Sequence, residues 1–232
     1  MTTFALIHGG WHGSWCWELV VPELEALGHR VVTPDLAMSD SAVGSMGWAE
    51  IVAAEIGDDA DVVAVGHSMG GLALPALASI RPLRRMVFLG AMVPLPGRVF
   101  GEYLAGESDA ITMDISADVD GDWVRVPSYE MMREFFYDDC DEEASRRAYE
   151  RLRPQALTTF TEVYPIAFWP DTPSSSIVMT GDRCVGNTWS RRVAEEQLGT
   201  SVIELPGSHS PMYSRPRDLA EVLSKLSLPP QG

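Results

Sequence analysis

Short apolar runs bounded by turn residues recur along the chain, and between them longer stretches carry apolar residues at helical spacing. The segments 4–7, 30–33, 61–65, 85–89, 177–180 and 201–205 each read as a strand. They are apolar nearly throughout rather than at alternate positions, the pattern of strands covered on both faces. Helices are expected over roughly 14–27, 48–56, 69–80, 187–198 and 216–226. In the last of these, Leu219, Val222, Leu223 and Leu226 keep the i, i+3, i+4, i+7 spacing of an amphipathic helix. Strand–helix alternation predicts an α/β fold, with a mostly parallel six-stranded sheet, right-handed crossovers and helices on both faces.

From about Pro94 to Pro173 the alternation lapses. This stretch has no clear buried strand but many aromatics, methionines and acids, with helical patterns over 128–137 and 142–152. An insertion between two strands at the carboxyl edge of an open sheet lies over the place where such sheets bind ligands. It reads as a helical cap. The expected organisation is a core domain of residues 1–93 and 174–232 with a cap, 94–173, inserted between strands. There is no internal repeat, and the closing Pro-Pro-Gln-Gly reads as a frayed tail.

Composition narrows the function classes. With 232 residues, 46% hydrophobic and 22% charged, the chain is neither a disordered tail, a collagen-like repeat nor a small disulfide scaffold. Its 17 basic and 33 acidic residues leave a formal charge of −16. That field repels phosphate backbones and anionic headgroups, so neither nucleic acid nor a membrane surface is expected as a partner. Cys16, Cys140 and Cys184 are an odd count without metal-like spacing, which reads as free thiols in a reducing compartment. No signal peptide is legible, and no apolar run approaches the roughly 20 residues that span a bilayer. A cytoplasmic location follows as the expectation.

Gly66-His67-Ser68-Met69-Gly70 fits Gly-x-Ser-x-Gly, with an apolar strand before it and a helical pattern after it. A serine at the apex of such a turn is held strained, with its hydroxyl above the sheet at a helix N-terminus that favours developing negative charge. The hydroxyl needs a base. Of the five histidines, His29 precedes a strand as a surface residue. His67 diverges from Ser68 within the turn, and His8 and His12 follow the first strand in structural or pocket-lining places. His209 follows the last strand in a loop at the same sheet edge as Ser68, and it is the expected general base. Asp182, just past the preceding strand, is the expected carboxylate that orients it. Acyl transfer also needs oxyanion donors: the backbone N–H of Met69, and that of Gly10 in the glycine-rich loop after the first strand.

These residues resemble the α/β-hydrolase superfamily, within it the plant methylesterase and hydroxynitrile lyase branch with its bacterial esterase relatives. The likeness rests on His8-Gly-Gly-Trp-His-Gly-Ser-Trp-Cys-Trp17, on 27–39, on Val65-Gly-His-Ser-Met-Gly-Gly71, on 87–94, on Asp182 and on Gly207-Ser-His209. It implies a Ser68–His209–Asp182 triad with Gly10 and Met69 at the oxyanion hole, in the chain order Ser, Asp, His. Two departures favour ester hydrolysis over the lyase reaction. Ser210 stands where the triad lyases of the branch carry lysine, and Gly9 stands where another lyase lineage carries asparagine. The linker from Asp35 to Ser68 and the cap both look shorter than in the plant enzymes.

The expected activity is therefore cleavage of carboxylic esters of small apolar or aromatic substrates through an acyl-enzyme, with no metal or organic cofactor. The pocket is expected between the loop carrying Trp11 and His12, the cap with Trp123 and Phe136, and the loop at Met212. A small-molecule ester is the expected partner, with a homodimer the one protein assembly entertained. Two alternatives keep the fold: a lyase, lactone-forming cyclase or acyltransferase that excludes water, and a ligand-binding receptor on the same scaffold.

Overall fold

Each of the six apolar runs forms a strand of one parallel sheet in the computed structural model, which describes residues 1–228. The terminal Pro-Pro-Gln-Gly lies outside the described residues. The first four strands are β1 (Thr3–Ile7), β2 (Arg30–Val32), β3 (Val62–His67) and β4 (Arg85–Leu89). Helices α1 (Val21–Ala26), α2 (Ser45–Ile56) and α3 (Ala73–Ile80) connect them. The expected helix over 14–27 is split into a 3₁₀ turn, Ser14–Trp17, and α1. Pro22 explains the break: lacking an N–H, it fits the first turn of a helix and not its interior.

The segment between β4 and the next sheet strand holds α4 (Phe100–Ala105), α5 (Tyr129–Phe136), α6 (Glu142–Tyr149) and α7 (Thr158–Thr161). It also holds three two-residue strands, β5 (Val119–Asp120), β6 (Trp123–Val124) and β7 (Gln155–Ala156), paired antiparallel in one small sheet. The cap is thus not wholly helical. Strands of two residues are too short to show a period of two, so no pattern announced them. Two contacts tie the segment to the core. Glu162 Oε1 accepts the N–H and the hydroxyl of Ser45 at 2.7 Å each, satisfying the start of α2. Tyr164 donates its hydroxyl to the Leu72 carbonyl at 2.6 Å.

The chain then completes the sheet with β8 (Ser174–Met179), α8 (Asn187–Glu196) and β9 (Val202–Leu205), and ends in α9 (Pro211–Ser214) and α10 (Pro216–Leu226). The sheet order is β2-β1-β3-β4-β8-β9. β1 and β3, each flanked by a strand on both sides, are buried at every position, which is why their sequences are apolar on both faces. Because all pairs are parallel, the loops after β1, β3, β8 and β9 emerge at one edge. Among the described residues no helix is long and apolar enough to cross a membrane.

Candidate active site

Ser68 begins the turn after β3 with φ +51°, in the left-handed region that a residue with a Cβ rarely adopts. The chain can turn this sharply because Gly70 packs against β1. A Cβ there would stand 2.6 Å from the His8 carbonyl oxygen and 2.7 Å from that of Ile7, so no side chain fits. The Gly-x-Ser-x-Gly spacing is thus a packing requirement of this crossing.

His209 lies in the loop between β9 and α9, fully buried. Its Nδ1 donates to Asp182 Oδ2 at 2.7 Å, while Asp182 Oδ1 accepts the N–H groups of Cys184 at 2.8 Å and Val185 at 3.0 Å. Among the described residues Nε2 has no hydrogen-bond partner. Burial is the largest single influence on the His209 pKa and lowers it; the Asp182 charge, with Cys184 and the hydrogen bond to Asp182, together outweigh it, and the net direction is upward. His67 donates from Nε2 to the His209 carbonyl at 2.8 Å and fixes its backbone. Burial drives the His67 pKa well down, so that ring stays neutral.

The loop after β1 is held by a relay from the cap. The Tyr137 phenol, kept protonated by burial, donates to His12 Nε2 at 2.6 Å. His12 must then carry its proton on Nδ1, which donates to the Gly10 carbonyl at 2.7 Å. Burial holds the His12 pKa down at about 3. Trp11, between Gly10 and His12, sits at φ +60°, a second strained position in the same site.

A second cap contact reaches the His209 loop. Asp139, just past α5, accepts the Ser208 N–H at 3.1 Å and the Ser208 hydroxyl, and Arg215 lies 3.9 Å from the same carboxylate. One short stretch of cap, 136–139, therefore touches the Gly10 loop, the His209 loop and the space between them. Phe136 packs edge-on to the His209 ring, with centroids 4.8 Å apart.

A cavity of about 50 Å³ opens between Ser68 and the cap. Gly10, Met69, Trp11 and Phe136 line it, as the sequence led us to expect, together with Met92, Ile111 and other apolar cap residues. Three expected substrate contacts lie elsewhere. His12 is buried beneath the loop in the relay just described. Trp123 borders a separate surface groove with Ser39 and Arg125, because pairing of β6 with β7 turns it outward. Met212 is fully buried and packs in the core. Sequence reasoning missed Gln155, Asp139 and Cys184. Only Cys184, two residues beyond Asp182, had a position that hinted at the site.

An alpha/beta hydrolase family model matches residues 4–222. The chain is 30% identical over 251 residues to a pyrethroid hydrolase of Sphingobium wenxiniae, across 98% of this chain and 88% of that protein. It is 27% identical over 248 residues to Methylesterase 7 of Arabidopsis thaliana, across 97% and 95%. The crystal structure of a pyrethroid hydrolase from Sphingobium faniae JZ-2 superposes with a TM-score of 0.83 at 27% identity, covering 99% of this chain and 98% of that one.

Proposed function

The chain belongs to the alpha/beta hydrolase family, and from that membership we propose that it is a serine esterase acting through Ser68, His209 and Asp182. The observation that carries the reading is the buried His209, oriented by Asp182 through Nδ1 and left with an unpartnered Nε2 at the edge that carries the strained Ser68.

In the first step His209 Nε2 takes the Ser68 proton as Oγ adds to the ester carbonyl. The oxyanion faces the N–H groups of Gly10 and Met69. The intermediate collapses by breaking the bond to the alcohol, and His209 returns its proton to that leaving oxygen. Water then adds to the acyl-enzyme, giving its proton to His209, and collapse releases the acid and restores the Ser68 hydroxyl. Asp182 stays ionised and opposite the imidazolium in both steps. These steps call for no cofactor.

Relatives named as a methylesterase and a pyrethroid hydrolase support ester cleavage. The walls contributed by Met69, Met92, Ile111, Met113 and Phe160 support a small apolar or aromatic acyl or alcohol group. We assign the core to 1–93 and 174–232 and the cap to 94–173, and take the small-molecule ester as the partner. Three buried cysteines, none in a disulfide, support a cytoplasmic location. The test is release of p-nitrophenol from acetate and butyrate esters by the wild type and Ser68→Ala. Turnover should fall by about 10³-fold or more in the variant. A folded wild type without turnover, or an active variant, counts against the reading.

A further inference from the structure

One polar side chain without an assigned role enters the otherwise apolar cavity. Gln155, on β7, is almost fully buried and lines the same space as Ser68 and Gly10. Its Oε1 accepts the Trp11 N–H at 3.0 Å. An N–H can donate only to the amide oxygen, so this bond fixes which way the carboxamide faces.

The amide nitrogen makes no hydrogen bond to the protein among the described residues, unlike the oxygen. Nor is it one of the unpartnered atoms sealed in the interior, and Gln155 does not border the groove at Trp123. Its N–H donors therefore face the cavity. The walls offer little else of the kind. Trp11 uses its indole N–H on the Arg125 carbonyl at 3.0 Å, and Met69, Met92, Ile111 and Phe160 have no donor side chain. Apart from the nucleophile and the weakly donating Cys184 thiol, Gln155 is the hydrogen-bonding side chain of this space.

A donor that opens on an otherwise apolar cavity finds no partner in its walls, and a ligand oxygen placed against it gains a hydrogen bond the walls do not offer. We propose that Gln155 is a specificity-determining residue whose Nε2 donates to a second oxygen of the substrate, beyond the reacting carbonyl. The substrate class is then an ester carrying an additional acceptor, such as an ether, ketone or second ester oxygen, within an otherwise apolar body. The inference rests on the esterase reading above and sharpens it. A site built around such a bond discriminates against an isostere lacking the acceptor more strongly than an apolar wall can.

Two nearly isosteric substrates separate the possibilities. p-Nitrophenyl methoxyacetate differs from p-nitrophenyl butyrate by one ether oxygen in place of a methylene, and their kcat/KM ratio is the readout. Gln155→Met keeps side-chain length and removes the donor; Gln155→Leu serves as a second variant where the thioether repacks badly. Any loss from freeing the Trp11 N–H falls on both esters and cancels in the ratio. The ratio should fall about tenfold from wild type, the worth of one hydrogen bond in a buried site. An unchanged ratio overturns the proposal. An equal fall on both esters does so too, assigning the amide to the loop or the reacting oxygen instead. If the wild type turns over neither ester, the esterase reading fails and this assignment fails with it. Loss of butyrate turnover in Ser68→Ala upholds that reading independently of the ratio.

Discussion

Asp182→Asn isolates the proton bookkeeping of the site, because the carboxylate is held from both sides. Its Oδ1 takes two backbone N–H groups, at 2.8 and 3.0 Å, and its Oδ2 takes His209 Nδ1 at 2.7 Å. In the asparagine variant the two backbone donors admit only oxygen, so the amide nitrogen must face His209. That nitrogen donates, Nδ1 becomes an acceptor, and the imidazole proton moves to Nε2. The atom that should receive the Ser68 proton then already carries one. The loss expected from a wrong tautomer is about 10³–10⁴-fold in kcat, or roughly 4–5.5 kcal/mol on the barrier. The hydrogen-bond count is unchanged, so thermal stability should move little.

The pH profile adds a second sign. His209 must be neutral to act as base, so kcat/KM rises as pH rises through its pKa. In the wild type the Asp182 charge holds that pKa above the ordinary histidine value of about 6.5. In the variant burial is opposed by Cys184 alone, and the acidic limb of the residual activity should move down. Hydrolysis of p-nitrophenyl butyrate followed from about pH 5 to pH 10.5, with the spontaneous rate subtracted, reads both quantities. Activity within tenfold of wild type, or an acidic limb that stays in place, would refute the assignment of Asp182.

Two further outcomes follow from the cap and the buried imidazoles. Asp139→Ala removes the acceptor of the Ser208 N–H next to His209, so kcat should fall about ten- to hundredfold with KM within about threefold. Equal changes in both constants, or none, would show that Asp139 does not position the base. His12 and His67 are buried neutral, with pKa values pushed below that of an unfolded histidine. The unfolded chain therefore binds more protons below about pH 6.5, and stability should fall with pH by up to about 1.4 kcal/mol per unit for each ring. Urea midpoints at about pH 7 and pH 5 measure this, and His12→Gln should shallow the slope. A midpoint independent of pH would contradict the buried neutral assignment.

Local order carries much of this protein and is written locally. The six sheet strands are apolar on both faces because helices cover both, so their runs stand out one by one. Gly70 must lack a side chain where it meets β1, and the strained Ser68 stands two residues before it. Gly10, Asp182 and His209 were legible because each follows a strand, and a parallel sheet delivers such loops to one edge. The cap obeys no such rule. Gln155 comes to the cavity through a two-residue strand paired with Val124, Asp139 reaches Ser208 across 69 residues, and Tyr137 meets His12 across 125. Pairings over such separations leave no period in the chain. Trp123 and Phe136 look alike as cap aromatics, yet pairing with β7 turns one outward while the end of α5 presents the other to His209. The placement of the proposed reacting groups was therefore determined by local pattern and sheet topology, whereas the walls of the cavity above Ser68 were decided by tertiary packing alone.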